Sequence, residues 1–382
     1  MNERLVVSSD GDSFLVKGSF SGVDHCRAGT ASESLARAVA LIPQTGGEVF
    51  LEPGTYLLEE PLRLKSNLKL GGAGGAVLAP AAGWAGEAAL VCEGLDNAVI
   101  EGVEVRGDEE GRMAAGIILD DCGDCALRNV RCRQVKGYGV WIRNGSFLCT
   151  VEGCSVHECE QANVFFENLK PGRYGDFVPN TLSNCMIYGG DKGVLCRMTV
   201  CANMVGCTVY QPRDVAFHLD RSNSILISGC RTYLCGRNAV RIEGGHENNV
   251  TGCIFGRQGA ECMVISDSYW GVVSANEMIF TGAYKKTGPN REAGAERPEE
   301  VRTVSDVLRM SDAHGYSVTG NVLFNWSTAP VIDEGIREDE RSSHNVFSAN
   351  NVNYFRGRGI DSPGQASLRA GNVLHGPAPY KT

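Results

Sequence analysis

The sequence lacks the features that are typical of membrane-spanning proteins and of nucleic-acid-binding proteins. It contains no apolar run of the roughly 18 residues that a membrane-spanning helix requires, so we expect no membrane span. Basic residues are in the minority, with 36 Lys and Arg against 45 Asp and Glu, and the formal net charge is −9. Because sequence-independent binding of nucleic acid depends on a basic surface, we do not expect nucleic acid as a partner.

The N-terminal residues also lack the pattern of a secretory signal. Residues 1–10 have no basic start, no apolar stretch and no small-residue cleavage site after them. The sequence therefore predicts a cytoplasmic protein, or a secreted protein whose signal peptide is absent from this chain.

Glycine and cysteine, by contrast, are frequent. The 48 glycines make up about one residue in eight, against a usual share of about 7%, and there are 16 cysteines. Disulfide scaffolds are typical of short secreted chains that cannot build a core, whereas this chain has 382 residues of which 43% are hydrophobic. We therefore predict that the cysteines are mostly free and buried, where they act as small hydrophobic residues.

A short motif, in which Gly or Asn precedes Cys, recurs along the sequence, and Asn later takes the place of Cys. From Cys132 to Asn276 the steps are 22, 31, 22, 23, 23 and 23 residues. Between them lie short β-branched runs and turn residues without helical periodicity. This period is too short for a propeller blade, and the Leu pattern of leucine-rich repeats is missing. We predict an all-β, right-handed parallel β-helix with one coil per repeat, in which the motif positions stack as a ladder. The later members of the ladder are Cys154, Cys185, Cys207, Cys230, Cys253, Asn276, Asn321 and Asn350.

The first part of the sequence predicts a cap. Residues 30–33 read Thr-Ala-Ser-Glu, a capping box, and Leu35, Val39 and Ile42 follow at helical spacing. We expect this helix, within a cap region of residues 1–45, to cover the open end of the solenoid. Coils are predicted over residues 46–375, and the whole chain, residues 1–382, is predicted to be a single domain.

The helix and the following segment Gly46–Tyr56 (GGEVFLEPGTY) resemble the entry of the pectate-lyase-like right-handed parallel β-helix superfamily. A narrower similarity is to the inulin fructotransferases, which form difructose anhydrides. It rests on the strand Ala115–Leu119, a late insertion and the coil Val318–Phe324. The resemblance implies an enzyme that acts on oligo- or polysaccharides. Homotrimers are common in such folds by analogy, and the sequence neither supports nor excludes one here. However, the catalytic Asp and Glu of the fructotransferases are missing near Gly153 and Phe165, where the alignment would place them.

One strand of each coil, aligned across the repeats, predicts a charged column on the outer surface. Two long insertions, residues 168–180 and 281–305, flank this strand and are expected to form the walls of a groove. A second outward column, next to the charged one, contains aromatic residues. The charged column is predicted to contain Asp120, Arg143, Glu167, Arg197, His218 and Glu243, followed by Ser266, and the second column Trp141, Phe165, Leu195, Ala216 and Arg241.

A groove with aromatic platforms and paired carboxylates suits an extended sugar chain. Glycosidic cleavage requires an acid and a second carboxylate about 5–10 Å apart, whereas a lyase requires a base and a cation beside a uronate. We therefore predict a glycoside hydrolase or fructotransferase-like enzyme. The alternatives are a polysaccharide lyase or epimerase acting on a uronate polymer and a non-catalytic glycan-binding or structural β-helix protein. The predicted catalytic residues are Glu243, Glu167, His218 and Asp220, and the predicted substrate-binding residues are Trp141, Arg143, Phe165, Arg197, Arg241, Asp120 and Asp267.

We expect neither a metal ion nor a cofactor. The CxxC motif at Cys122 and Cys125 has no partner pair, and the histidines show no metal-ligand spacing. Each residue of the charged column also has a purely structural interpretation, because charges on neighbouring coils can pair and so offset repulsion within the stack.

Overall fold

The computed structural model describes residues 4–11, 13–108, 110–169, 178–281, 283–285, 300–302, 305–324 and 332–376. The chain divides into two compact units, Met1–Gly190 and Asp191–Thr382, which we describe separately. Large parts of both insertions, residues 170–177 and 286–299 among them, lie outside the described residues. The groove walls and the single domain therefore stay predictions.

The first unit contains one described helix and a series of short strands. Helix α1 spans Ala31–Leu41. The strands are β1 (Arg4–Asp10), β2 (Ser13–Gly18), β3 (Asp24–Ala28), β4 (Gly47–Leu51), β5 (Gly54–Leu58), β6 (Leu62–Arg63), β7 (Leu68–Gly72), β8 (Ala76–Pro80), β9 (Ala88–Glu93), β10 (Val99–Glu101), β11 (Glu104–Arg106), β12 (Ala115–Asp120), β13 (Ala126–Arg128), β14 (Arg131–Arg133), β15 (Tyr138–Arg143), β16 (Thr150–Glu152), β17 (Ser155–His157), β18 (Ala162–Glu167), β19 (Asn180–Ser183) and β20 (Met186–Tyr188).

These strands form three sheets, because each coil contributes one strand to each sheet. Sheet A has the order β3-β2-β1-β4-β7-β10-β13-β16-β19, sheet B the order β5-β8-β11-β14-β17-β20, and sheet C the order β6-β9-β12-β15-β18. From β4 onward the pairings are parallel, whereas β1, β2 and β3 pair antiparallel. The parallel coils confirm the predicted solenoid, and the antiparallel strands of the cap region are a feature that the sequence did not reveal.

The second unit repeats the three-sheet plan. Its strands are β21 (Lys192–Arg197), β22 (Val200–Val205), β23 (Thr208–Tyr210), β24 (Phe217–Asp220), β25 (Asn223–Ser228), β26 (Arg231–Cys235), β27 (Val240–Glu243), β28 (Asn249–Thr251), β29 (Ile254–Gln258), β30 (Met263–Tyr269), β31 (Val272–Ser274), β32 (Glu277–Thr281), β33 (Ala283–Lys285), β34 (Glu300–Arg302), β35 (Leu308–His314), β36 (Ser317–Thr319), β37 (Val322–Phe324), β38 (Ile336–Glu338), β39 (Val346–Ser348), β40 (Asn351–Asn353), β41 (Ile360–Asp361), β42 (Leu368–Ala370) and β43 (Val373–His375).

Within this unit, sheet C has the order β21-β24-β27-β30-β35-β38-β41. Sheet A runs β22-β25-β28-β31-β36-β39-β42, and sheet B runs β23-β26-β29-β32-β37-β40-β43. The strands β33 and β34, near the two ends of the late insertion, pair antiparallel with each other.

The predicted cap helix is confirmed. The side chain of Thr30 accepts a hydrogen bond from the backbone amide of Glu33, and Leu35 and Val39 are buried. The helix packs against the strands of the first coils. At 11 residues it cannot cross a bilayer, and no other helix in the described part of the chain is long and apolar enough to do so.

The predicted ladder is confirmed, with one correction at its start. Cys154 and Cys185 occupy the turn between sheets A and B, but Cys132 lies within β14 and Val130 holds the ladder position of that coil. Further along, each Asn amide donates to the next Asn. The Nδ2–Oδ1 distances are 3.0 Å from Asn276 to Asn321 and 2.9 Å from Asn321 to Asn350. Buried polar side chains are therefore satisfied by their own stacking.

Cysteine and glycine fill the inward corners of the coils, as predicted. All 16 cysteines are free, and 14 of them are buried. Gly139 illustrates the lack of space, because an added Cβ would lie 2.4 Å from Cγ1 of Val156 and 2.5 Å from the carbonyl oxygen of Asn163. Contacts this short exclude any side chain there, so the composition follows from the geometry of the coil.

We predict that Asn321→Ala destabilises the protein by about 2–4 kcal/mol, because it removes the partner of several buried polar groups. The side chain of Asn321 accepts from the backbone and side-chain amides of Asn276 and donates to the carbonyl of Val273. The free energy of unfolding from denaturant titration checks this. The control is Asn203→Ala, a half-buried residue within β22, which should cost less than about 0.5 kcal/mol. Equal losses in the two variants would contradict a stabilising ladder.

Candidate functional site

The outer face of sheet C in the second unit brings several of the predicted site residues together, in a register that differs from the predicted one. Asp220 is the partner of Arg197 on one side and of Glu243 on the other. His218, which we had placed in this charged column, lies instead in the second column, between Leu195 and Arg241. The predicted alignment of β24 was therefore wrong by two residues.

The shift places His218 beside Glu243. The imidazole Nε2 lies 2.8 Å from Oε2 of Glu243, and the His218 side chain is only 12% exposed while that of Glu243 is 48% exposed. Burial lowers the pKa of His218 below its usual value; nearby Arg241 and Lys192 also lower it, whereas the contact with Glu243 raises it. A carboxylate can only accept a hydrogen bond. The neutral imidazole of His218 must therefore carry its proton on Nε2, the atom that faces Glu243. Nδ1 then holds the lone pair, and this atom is buried without a hydrogen-bond partner.

Arg241 supports this pair from the same strand. Its Nε lies 3.9 Å from Oε1 of Glu243, and its Nη2 donates to Oδ1 of Asn238 at 2.7 Å and to Oδ1 of Asp214 at 3.3 Å. Lys192 in turn lies 3.7 Å from Asp214. Asn238, Asp214 and Lys192 were not among the predicted site residues.

Asp220 is held between two guanidinium groups. Arg221 donates to it at 2.9 Å and Arg197 at 3.1 Å. The hydrogen bonds from Arg221 and then Arg197 lower the pKa of Asp220 against the opposing effect of its burial. The carboxylate is therefore ionised at neutral pH, which makes it a poor proton donor.

In the first unit, Arg143 serves as an ion-pair clamp. Its Nε donates to Asp120 at 2.7 Å, and its Nη1 donates to Glu87 at 2.7 Å. Its guanidinium carbon also lies 4.4 Å from the centre of the Trp141 ring. Burial opposes the charge of Arg143, but the Glu87 and Asp120 carboxylates raise its pKa. These contacts match the structural interpretation of the charged column.

The aromatic platform predicted in this unit needs a correction. Phe165 is only 1% exposed and offers no face to a ligand, because Trp141 stacks on it at 5.6 Å and Tyr138 lies at 4.5 Å. Trp141 is half-buried and covered by Arg143. An outward position on the sheet is therefore not an exposed one here, because neighbouring rings pack against each other along the stack.

Two further predicted residues lie apart from the His218–Glu243 pair in the chain. Glu167 ends β18 in the first unit, as the register partner of Arg143. Asp267 is an exposed corner residue with a φ of 48°, and Ser266, not Asp267, is the register partner of Glu243.

The described residues contain no group of three or more His, Cys, Asp and Glu side chains arranged to hold a metal ion. Two surface depressions, of about 380 and 510 Å³, are lined by residues of the first unit, such as Pro61 and Lys136. They include none of the predicted site residues. The face that carries His218, Arg241 and Glu243 is therefore considered as the candidate site.

Comparison with known proteins supports the fold. Residues 115–288 match the family model described as "right handed beta helix region", and no curated protein sequence matches the chain. The fold is a right-handed parallel β-helix, as predicted, while the narrower similarity to inulin fructotransferases stays a prediction.

Several solved structures share this fold at low sequence identity. A mannuronan C-5 epimerase A-module from Azotobacter vinelandii (AlgE6) is 14% identical, with a TM-score of 0.73, over 92% of this chain and 96% of that one. A mannuronic acid-specific polysaccharide family 6 lyase from human gut microbiota is 12% identical, with a TM-score of 0.55, over 89% and 81%. The catalytic unit of a GH87 α-1,3-glucanase from Streptomyces thermodiastaticus is 10% identical, with a TM-score of 0.56, over 90% and 66%.

We predict that Arg143→Ala lowers the free energy of unfolding by about 1–3 kcal/mol, because two carboxylates lose their partner and the Trp141 ring is uncovered. Thermal and denaturant unfolding measure the loss. Arg63→Ala is the matched control, since Arg63 pairs with Glu93 where both side chains are well exposed, and it should cost less than about 0.5 kcal/mol. A negligible effect of Arg143→Ala would show that the clamp does not stabilise the fold.

Proposed function

We propose that the chain is a carbohydrate-active enzyme that removes a proton from a uronate residue of a polysaccharide, as a lyase or an epimerase. The observation that carries the proposal is the contact between the buried His218 and the exposed Glu243. It places a reachable carboxylate, oriented by a neutral imidazole, beside the guanidinium of Arg241. A base held by a second group and flanked by a cation is the arrangement that proton abstraction next to a carboxylate requires.

In this proposal Glu243 is the base and His218 is a positioning residue. The Nε2–H of His218 holds one carboxylate oxygen of Glu243 and leaves the other free to face substrate. Glu243 takes the proton from the ring carbon that bears the uronate carboxylate. In a lyase the electron pair of that C–H bond forms a carbon–carbon double bond and expels the glycosidic oxygen, which takes up a proton from water. In an epimerase the same carbon is protonated again by water from its opposite face.

Cations at the site support a uronate as substrate. Abstraction of the proton delocalises negative charge onto the uronate carboxylate, and a guanidinium bound to that carboxylate stabilises it. Arg197 and Arg221, whose side chains are 40% and 64% exposed, reach the face of sheet C together with Arg241. All three already contact carboxylates, so substrate would exchange one carboxylate partner for another at little cost in desolvation.

Glycoside hydrolysis is the second candidate, and the environment of Asp220 weighs against it. Asp220 and Glu243 are register partners on neighbouring coils and therefore the obvious pair of carboxylates. An acid that protonates a leaving group needs a raised pKa, whereas that of Asp220 is lowered by Arg221 and Arg197. The fold shared with an α-1,3-glucanase favours hydrolysis. The fold shared with an epimerase and a lyase favours the first candidate. Both are analogies of fold.

We predict that Glu243→Gln lowers kcat on the true substrate by about 10²–10⁴-fold, because the amide cannot accept the proton. Turnover is measured on a panel of polyuronates by ultraviolet absorbance of unsaturated ends and by deuterium incorporation at the acidic carbon. Neutral glucans are assayed in parallel for new reducing ends. Glu93→Gln is the control, since Glu93 is also an exposed carboxylate at the end of a sheet C strand and should leave the rate unchanged.

Full activity of Glu243→Gln, at unchanged thermal stability, would remove Glu243 from the reaction. Reducing ends from a glucan, without unsaturated or deuterated products from any polyuronate, would support hydrolysis over the first candidate.

We predict that the acid limb of the kcat/KM profile lies below pH 6.5, the ordinary histidine value, because burial lowers the pKa of His218. Protonated His218 withdraws electron density from Glu243 and weakens it as a base. Because the pKa of His218 is lower in the folded than in the unfolded protein, its contribution to folding stability is fully present above the unfolded pKa. This contribution is lost as the pH falls through the folded pKa. Rates and melting temperatures from pH 4 to 8 are compared with those of His218→Asn, which should lose this limb, and His375→Asn, an exposed control, which should keep it. An unchanged limb in His218→Asn would contradict the positioning role.

A further inference from the structure

We propose that a corner of the second unit, at the end of sheet C, binds uncharged pyranose rings of a glycan by stacking. The site consists of His246, Tyr269, Trp270 and His314, which we call the corner platform. None of these residues belongs to the charged column. The platform contains the most exposed tryptophan among the described residues, Trp270, with 64% of its surface accessible.

The coils align the rings of the platform. Tyr269 is the backbone partner of both His246 and His314, so the three residues lie on successive coils at intervals of about 4.8 Å. The rings of Tyr269 and His314 stack with a centroid distance of 5.1 Å and an angle of 21°. The indole of Trp270 lies 6.2 Å from both Tyr269 and His246. The indole is inclined by 57° to the Tyr269 ring and by 60° to the His246 ring, so the exposed side of Trp270, and not the Tyr269–His314 stack, is the face open to a ligand.

The backbone of Trp270 is unusual for a residue of its size. Each coil has a left-handed residue at this corner, and Ser224, Glu247, Gly315 and His344 hold the place on other coils. Trp270 adopts it with a φ of 57°, a conformation that costs a bulky side chain about 1–2 kcal/mol. The indole lies over Gly315, where an added Cβ would be 2.7 Å from its Cδ1. An exposed tryptophan kept in this conformation contributes little to the core, so its exposed face is the feature to be explained.

Polar groups border the aromatic surface. Oδ1 of Asp312 lies 3.0 Å from Nε2 of His314, and Oε2 of Glu247 accepts from the hydroxyl of Ser224 at 2.8 Å. The side chains of Asp312 and Glu247 are about half exposed and retain lone pairs for further donors. Nδ1 of His246 is buried without a hydrogen-bond partner and lies 3.7 Å from Glu247.

The aromatic rings and the neighbouring carboxylates together indicate which class of ligand the platform would bind. A pyranose ring has an apolar face of C–H groups that packs on an aromatic ring, and its hydroxyls donate to carboxylates at the edge. The same carboxylates repel a sugar that carries a carboxylate of its own, so uncharged rings are favoured. The platform shares a coil with Glu243, because His246 follows it by three residues, across the turn at Gly244 and Gly245. Taken with the uronate proposed for sheet C, and resting on that proposal, the platform implies a polymer with both uncharged and uronate residues.

The test is a binding measurement that needs no turnover. Intrinsic tryptophan fluorescence and calorimetry are recorded while the full chain is titrated with neutral hexasaccharides of glucose and mannose in α and β linkage, and with oligouronates. We expect at least one neutral oligosaccharide to bind, and Trp270→Ala to weaken that binding about 3- to 10-fold. Trp270→Tyr should restore most of the affinity. Glu243→Gln should bind the neutral ligand like the wild type, so the platform can succeed or fail independently of the proposed reaction.

Leu148→Ala is the matched control, because Leu148 is an exposed apolar side chain at a left-handed corner of the first unit. It should leave affinity unchanged. Melting temperatures within about 2 °C of the wild type exclude unfolding as the cause of a loss. The proposal is overturned if no neutral oligosaccharide binds at millimolar concentration, if Trp270→Ala binds like the wild type, or if oligouronates bind more tightly than neutral ligands at this position.

Discussion

Parallel stacking of coils at the interstrand spacing of about 4.8 Å is the constraint on which the rest of this structure depends. It turns each position of the repeat into a column whose members are neighbours in space. Asn276, Asn321 and Asn350 satisfy one another for this reason, and Gly139 has no room for a side chain because the next coil lies against it. The composition of the chain, rich in Gly, Asn and small Cys, follows from this single requirement.

The same constraint governs the charges. A column of like charges at this spacing would be repelled, and acids lie next to bases at Asp120 and Arg143 and at Arg197 and Asp220. Asp220 and Glu243, by contrast, are two acids on neighbouring coils. Most of these charges are paired with a neighbouring side chain, such as Arg143 with Asp120 and Arg197 with Asp220. Glu243 differs because its nearest partner is a buried imidazole, which is neutral, and the carboxylate keeps an exposed oxygen beside Arg241. Glu243 is therefore the position in this column at which charge pairing is incomplete.

The sequence predicted the fold well because a period of 22 or 23 residues is a long-range signal that many coils repeat. It predicted the register of β24 wrongly for a physical reason. Val215, Phe217 and Leu219 alternate with polar or small residues, so a shift of two residues keeps every apolar side chain inside and leaves the pattern unchanged. Only the packing of neighbouring coils distinguishes the two alignments. The exposure of outward-pointing side chains could not be predicted from the sequence either, because Phe165 points outward yet is covered by Tyr138 and Trp141.

The exposed position of Trp270 could not be predicted from the sequence, because Trp270 lies at a corner of a coil. Alternation describes strands, and it assigns no direction to a left-handed residue at which the chain turns from one sheet to the next. Such a residue is exposed at some corners, as Trp270 and Leu148 are, and buried at others, as Leu234 is. A large aromatic side chain that is exposed at a corner, with a backbone that disfavours it, contributes little to packing, and for this reason we assign it to a ligand. In a solenoid, corners are therefore places where side chains are available for recognition, while strand faces are constrained by the stack.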